Sequence, residues 1–296
     1  MRIERFFTYY AIRTTFYESL WRKTNDTNRP TFYVPHKTMF NWLGIALVLI
    51  ILTALLATLS WYKRIFSPHP EIVRKLLHIG MGLAILPVPW LFDAAWPALV
   101  LVAITAPVLM ALRTTRLQGN WGAVLGGVGR KQSLGEIYFV GGVAVLFLLT
   151  GDDPLRFSIP ILLLALADAA AALIGIRYGR RYYTTFGGDK TLEGSLAFLV
   201  AAFFCIQMPL LLFSALQPIE TLLIALLLSL LLMMVEAVAW RGLDNFFIPI
   251  FGFVLLDGSM GMSIGVLWGQ LVITVPLAIL TIQVLINITF TVEAHR

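Results

Sequence analysis

Leu166-Ala-Asp-Ala-Ala-Ala-Ala-Leu-Ile-Gly175 runs on through Ile176-Arg-Tyr-Gly179 to Gly187-Gly-Asp-Lys-Thr-Leu-Glu-Gly-Ser195, and the rest of the chain is organised around it. It starts as an apolar helix carrying one acid, Asp168. It leaves through a loop with Arg177, Arg180 and Arg181, and turns back at Gly188-Asp189-Lys190-Thr191, with Glu193 one turn into the next apolar run. A carboxylate in a membrane helix costs free energy on the kcal/mol scale and marks a site by default. Glycines admit a bulky anion close to the backbone, and the first turn of a helix offers unpaired N–H groups and a positive dipole end. Acid, basic loop, glycine turn and lysine between two apolar helices read as a nucleoside triphosphate site at a membrane face.

Composition bounds the class. Of the 296 residues 59% are hydrophobic and 13% charged, with a mean hydropathy of +0.84, which is too apolar for a soluble globule. An all-α, polytopic integral membrane protein follows. A crossing needs about 20 mostly apolar residues. Candidate runs are 41–62, 76–92, 94–112, 135–150, 157–176, 192–213 and 219–240, with one or two more within 246–290. That makes roughly eight to nine transmembrane helices. The single Cys205 excludes an internal disulfide framework and leaves the redox compartment open.

The net charge of +6 is topological rather than a signal for nucleic acid. Linkers after the first, third, fifth and seventh runs carry Lys63, Arg64, Arg74, Lys75, Arg113, Arg116, Arg130, Lys131, Arg177, Arg180, Arg181, Lys190 and Arg241. The alternate linkers carry only Arg156. Basic linkers stay cytoplasmic, so every polar cluster is expected on that face. The arm 1–40 conflicts with this alternation, because its seven basic residues fall outside if 41–62 crosses once. Its segment Ile3–Trp21 reads equally as an interfacial amphipathic helix and as a tail. It lacks the pattern of a signal peptide, and its acids argue against a transit peptide.

Four further clusters punctuate the runs. In Pro70-Glu71-Ile-Val-Arg74-Lys75-Leu-Leu-His78, helical spacing places Glu71, Lys75 and His78 on one face. The basic pair suits a phosphate or an ordinary flanking anchor, and His78, one turn inside the run, weakens the second account. The linker from Arg113 to Glu136 is basic and glycine-rich, but Gly126-Gly-Val-Gly129 lacks the strand and spacing of a dinucleotide fingerprint. Glu136 opens the next run. Asp168, Ala172 and Gly175 recur at helical spacing, leaving small residues beside the acid for close helix contact. Gly187-Gly-Asp-Lys-Thr191 is not a phosphate-binding Walker loop, since Asp189 interrupts it, and Asp189 or Thr191 is a candidate helix cap. Glu236, with Gly242-Leu-Asp244-Asn245, supplies oxygen ligands suited to Mg²⁺, or else a solvated turn. Asp257-Gly258 falls inside a later apolar run as a candidate re-entrant break without a role.

Taken in order, Glu71-x-x-Arg74-Lys75-x-x-His78, Gly135-Glu136, Asp168 with Gly175 and Gly179, Lys190-Thr-Leu-Glu-Gly194, and Glu236 with Gly242-Leu-Asp-Asn245 resemble the successive motifs of the polytopic polyprenol kinase family. That family includes phytol kinase, dolichol kinase and the CTP-dependent diacylglycerol kinase of fungi. The resemblance covers about 71–250 of a membrane domain taken as 41–296. It implies a kinase for a lipid alcohol (phytol, a polyprenol or diacylglycerol), with CTP or UTP as donor and the nucleotide near Asp168 to Glu193. On that basis Arg74, Lys75, His78, Gly187, Gly188, Lys190, Thr191 and Gly194 are expected at the nucleotide. Asp168, Glu193 and Glu236 are expected at Mg²⁺, with Asp244 as the base for the lipid hydroxyl. Asp168, Lys190, Glu193 and Asp244 form the expected catalytic set, and Glu71, Glu136 and Asn245 are further candidates.

Two other classes compete. A phosphatidate cytidylyltransferase also uses CTP, but none of His36, His69, His78 and His295 precedes the Gly-Gly of that family's terminal motif. A secondary transporter would need paired repeats and midplane polar groups, and the polar residues here gather at one face. A structural scaffold leaves acids in four separate clusters unexplained. The expected partners are the lipid alcohol, the nucleotide and membrane lipids, with no nucleic acid and no statement on oligomeric state.

Overall fold

The computed structural model describes residues 36–92, 94–114, 135–151, 153–185, 188–239 and 242–294. Apart from its first two residues, this is one compact unit, 38–296. The elements are α1 (His36–Phe66), α2 (Pro70–Ile85), the single turn α3 (Val88–Leu91), α4 (Trp96–Thr114), α5 (Gly135–Thr150), α6 (Pro154–Leu162), a π-helical turn (Leu163–Ala167) and α7 (Asp168–Tyr178). They continue as a hairpin of β1 (Tyr182–Thr185) and β2 (Gly188–Thr191), then α8 (Leu192–Phe213), α9 (Pro218–Val238), α10 (Asp244–Ser259) and α11 (Ile264–Ala294). Among the described residues six stretches are long and apolar enough to cross a membrane: 40–66, 70–91, 154–178, 192–213, 218–238 and 264–287. The shorter α4 and α5 are also apolar, and the fold is the expected all-α, polytopic membrane architecture. The arm and the glycine-rich loop 115–134 lie outside the described residues.

Two apolar clusters stand side by side. One gathers α1, α2, α4 and α5 around Leu77, Phe147 and Phe157, while the other gathers α8, α9 and α11 around Phe198, Ile206 and Leu228. Residues 154–178 belong to both, since Phe157, Ile161 and Leu164 face the first cluster and Ile159, Leu163 and Ala167 the second. The opening stretch of sequence is thus the middle post of the bundle. Lipid tails are as apolar as leucine, so close packing through small residues must hold such helices together. A Cβ on Gly142 would meet the Asn245 carbonyl oxygen at 3.0 Å, and one on Gly252 would meet Leu163 at 3.2 Å. These contacts draw α10 against α5 and the π-helical turn.

The post is not a continuous α-helix. The Asp168 N–H reaches back five residues to the Leu163 carbonyl, which defines the π turn. Pro160, just upstream, removes one backbone donor and loosens the ladder at this point. The extra residue rotates everything after it, including Asp168, relative to an uninterrupted helix. Nothing in the side-chain pattern of Leu163-Leu-Ala-Leu-Ala167 announces it.

The hairpin corrects a second expectation. The sequence predicts a loop leading into a helix first turn over 177–191, whereas Tyr182–Thr185 pairs antiparallel with Gly188–Thr191, setting Tyr183 opposite Lys190 and Thr184 opposite Asp189. Tyr-Tyr-Thr-Thr is a run of strong strand formers, and Tyr183 is fully buried. The helix begins only at Leu192.

Candidate functional site

The first polar stretch enters α2 as a helix start. Pro70 occupies its first turn, and the Glu71 N–H donates to His69 Nδ1 at 3.3 Å. Three residues on, Arg74 forks onto both Glu71 carboxylate oxygens, its Nε donating to Oε2 at 3.0 Å. Lys75 lies a further step round the helix and donates through Nζ to Asp168 Oδ2 at 2.5 Å. Both side chains are about 5% exposed or less, so two opposite charges sit together in the interior. The pair joins α2 to α7 directly below the π turn that aims Asp168.

His78 follows on the same face. It is buried, with its ring 4.9 Å from Phe139 in an edge-on arrangement, and Nε2 has no hydrogen-bond partner among the described residues. Its polar neighbour is Asn245, whose Nδ2 donates to the Gly135 carbonyl at 2.9 Å across 110 residues of sequence. Glu136, the next residue, is buried in the first turn of α5. The left-handed φ of +86° at Gly242 turns the chain from the end of α9 into α10 and so brings Asp244 and Asn245 to this face.

The hairpin delivers the other cation. Lys190, on β2, donates through Nζ to Glu236 Oε1 at 2.7 Å and to the Glu236 carbonyl, tying the hairpin to the end of α9. Glu236 Oε2 is buried and has no hydrogen-bond partner among the described residues. Thr191 caps α8, its hydroxyl accepting from the Gly194 N–H at 3.1 Å. A Cβ on Gly175 would stand 2.8 Å from that hydroxyl oxygen, and one on Gly194 would stand 2.8 Å from the Ala171 carbonyl. The two glycines are what allow α7, Thr191 and α8 to touch. Tyr183 points beneath the hairpin and shares a 2.6 Å hydrogen bond with Ser195. Burial, with the Glu236 charge nearby, pushes its phenol above the usual tyrosine range. Tyr183 and Ser195 were not picked from the sequence, and only the strand-forming run around Tyr183 could have pointed to them.

Asp244 completes the group. It lies within electrostatic reach of Asp168, Lys75, Lys190 and Arg74, and Glu236 lies within reach of both Asp168 and Asp244. Five distant stretches therefore converge at one end of the bundle. They bring three cations (Arg74, Lys75, Lys190) and four carboxylates (Glu71, Asp168, Glu236, Asp244), with His78 and Asn245 beside them.

The expected metal set Asp168, Glu193 and Glu236 is not assembled as such. Glu193 Oε2 instead accepts from the backbone N–H groups of Arg180 (3.1 Å) and Arg181 (3.3 Å), stitching the basic corner to the start of α8. There it borders a shallow surface depression with Arg177, Tyr178, Gly179 and Arg180. Among the described residues no three His, Cys, Asp or Glu side chains stand close enough to form a metal cage. Gly188 starts β2, and Gly187 lies outside the described residues. Asp257, read without a role, pairs with Arg156 Nε at 2.9 Å, and Arg156 Nη1 also holds Asp153 at 3.1 Å. That network lies at the other end of α10 and serves packing.

Comparison with known proteins decides the family. The phytol kinase of Synechocystis sp. is 31% identical over 166 residues, which is 55% of this chain and 68% of that protein. The chain belongs to the polyprenol and phytol kinase family. It is accordingly a phosphotransferase of the lipid kinase class, acting on an alcohol, and the cytidylyltransferase and transporter alternatives fall away. No family model and no solved structure matches it.

Proposed function

We propose that this polyprenol kinase family member transfers the γ-phosphoryl group of CTP or UTP to an isoprenoid alcohol such as phytol or a longer polyprenol, or to diacylglycerol, at the cytoplasmic face. The observation that carries the reading is the meeting of Lys75, Asp168, Lys190, Glu236 and Asp244 at one end of the bundle. Phosphoryl transfer asks a protein for positioning and charge neutralisation more than for covalent chemistry. Lys190 (21% side-chain exposure) and Arg74 (27%) are the accessible cations of the cluster, where Lys75 is buried, and these two meet the triphosphate first. Arg74 is held rigid by its fork on Glu71 and adds to the positive potential there. The Lys75–Asp168 pair fixes α2 against α7, so the surrounding groups keep their spacing.

In this reading Asp244 accepts the proton of the lipid hydroxyl. It accepts the Asn245 N–H at 3.0 Å through one oxygen and is partly buried at the first turn of α10, beside the cluster. Mg²⁺ usually takes one or two carboxylates and completes its shell with waters and substrate phosphates. The residues fit an ion arriving with the nucleotide, because the unpartnered Glu236 Oε2 is a hard oxygen donor beside Lys190. Glu236, seconded by Asp168, would hold it, and the ion would neutralise phosphate charge. The cytoplasmic assignment rests on the basic linkers at this end, and CTP or UTP on the family resemblance.

The test is phosphate transfer by purified protein in mixed detergent and lipid, with γ-labelled CTP, UTP and ATP against phytol, a long polyprenol and diacylglycerol. Labelled lipid is expected with CTP or UTP, and its loss in Lys190→Ala and Asp168→Asn. Absence of label from every lipid, with CDP-diacylglycerol and pyrophosphate formed from phosphatidate, would overturn the proposal.

A further inference from the structure

Among the charged residues of the cluster, Asp244 alone also begins a membrane-facing stripe. On α10 the residues at spacings of three and four from it are Phe247, Phe251, Val254 and Gly258, and all four are exposed on the bundle surface. The opposite face carries Asn245, Ile248, Pro249, Gly252, Phe253 and Leu256, all buried against α5, α6, the π turn and α9. By contrast Lys75, Asp168 and Glu236 are buried behind this surface. The two phenylalanines stack, with ring centroids 5.6 Å apart and planes inclined by 20°.

From this we infer that the Phe247–Phe251–Val254 face of α10 is the seat of the acceptor's isoprenoid chain, with the hydroxyl at Asp244. The inference rests on the kinase reading and adds to it where the tail lies. A carboxylate at the edge of a lipid-facing stripe is costly unless a polar group meets it. The cations within reach of Asp244 answer its charge from the cluster side; from the membrane side bilayer chains bring no polar group, whereas a lipid alcohol brings a hydroxyl that donates to the carboxylate. Its proton is the one lost when the oxygen attacks phosphorus. From Asp244 to Val254 the stripe runs ten residues, about 15 Å along the helix axis. The stacked rings give a methyl-branched chain a flat surface that unbranched acyl chains match less well. Continuity with the cluster singles out this face over the other apolar surfaces of the bundle.

The experiment uses the full chain in nanodiscs of phosphatidylcholine and a C20 prenol carrying a diazirine in mid-chain. Photolabel is expected on the peptide containing Phe247 to Val254 and should be displaced by excess phytol. In the transfer assay Phe251→Ala should raise the KM for phytol roughly three- to tenfold, the worth of one aromatic contact, and leave the nucleotide KM unchanged. Ile273→Ala, exposed on α11, is the control for a generic change of lipid-facing surface. Label spread over the whole membrane surface, or a Phe251→Ala enzyme indistinguishable from Ile273→Ala, would overturn the inference. Specific label on α10 in a protein that phosphorylates no alcohol would leave the seat standing and remove the kinase reading.

Discussion

Replacing Asp168 by Asn leaves Lys75 buried without its counter-ion, and the structure sets the size of the effect. At 2.5 Å the Coulomb attraction, with an effective dielectric of about 20, is about 7 kcal/mol. Withdrawing both ions from water offsets most of it, so the pair differs little in net worth from two well-packed apolar residues. Removing a single partner is different, because the remaining buried ion costs about 3–5 kcal/mol. Asp168→Asn, Asp168→Leu and Lys75→Met are each expected to lose that much, whereas Lys75→Met with Asp168→Leu should recover most of it, and the parent, the two apolar single variants and their double form a cycle. Titration of helix content with SDS in mixed micelles measures the four corners of this cycle. Phosphate transfer should stay absent in the double variant although it folds. A stability within about 1 kcal/mol of the parent in Asp168→Asn would show that the charge is not buried against Lys75. Full activity in the double variant would show that the pair is only scaffolding.

Three other outcomes follow. Gly194→Ala sets a methyl 2.8 Å from the Ala171 carbonyl, which belongs to backbone and cannot swing aside. It should cost about 1–3 kcal/mol in the same titration, while Gly258→Ala, which meets open space, should cost nothing comparable. Tyr183→Phe deletes the 2.6 Å bond to Ser195 beneath the hairpin and should lower stability by about 1 kcal/mol, with a smaller effect on the lipid KM than on the nucleotide KM. Chelation of divalent ions should abolish transfer and added Mg²⁺ restore it, and Glu236→Gln should raise the Mg²⁺ concentration needed for half-maximal rate.

The helical runs were legible because the membrane imposes length and polarity together. The run 135–150 became α5 and 192–213 became α8 to the residue, and 246–290 resolved into α10 and α11 around a turn at Met260. Residues of opposite charge at helix ends were legible for the same reason, since in an apolar chain each stands out. Partner choice was not legible. Glu193 looked equivalent to Asp168 and Glu236, yet two backbone N–H groups 12 and 13 residues upstream claim it, and only the path of the hairpin determines that. The π turn leaves no trace in composition, because it is a property of one hydrogen bond inside an unbroken apolar run.

The long reach of the polar contacts has a consequence for how the protein is made. Lys75 meets a partner 93 residues later, Lys190 one 46 residues later, and the Gly135 carbonyl waits 110 residues for Asn245. At roughly 5–20 residues per second of synthesis, Lys75 stays without Asp168 for roughly 5–20 s after it leaves the ribosome. Lys75 lies in the second turn of α2, so until α7 arrives its ammonium is expected to reach out to the lipid head groups instead of turning into the bundle. Asn245 on α10 makes the last of these ties, before α11 joins the second apolar cluster.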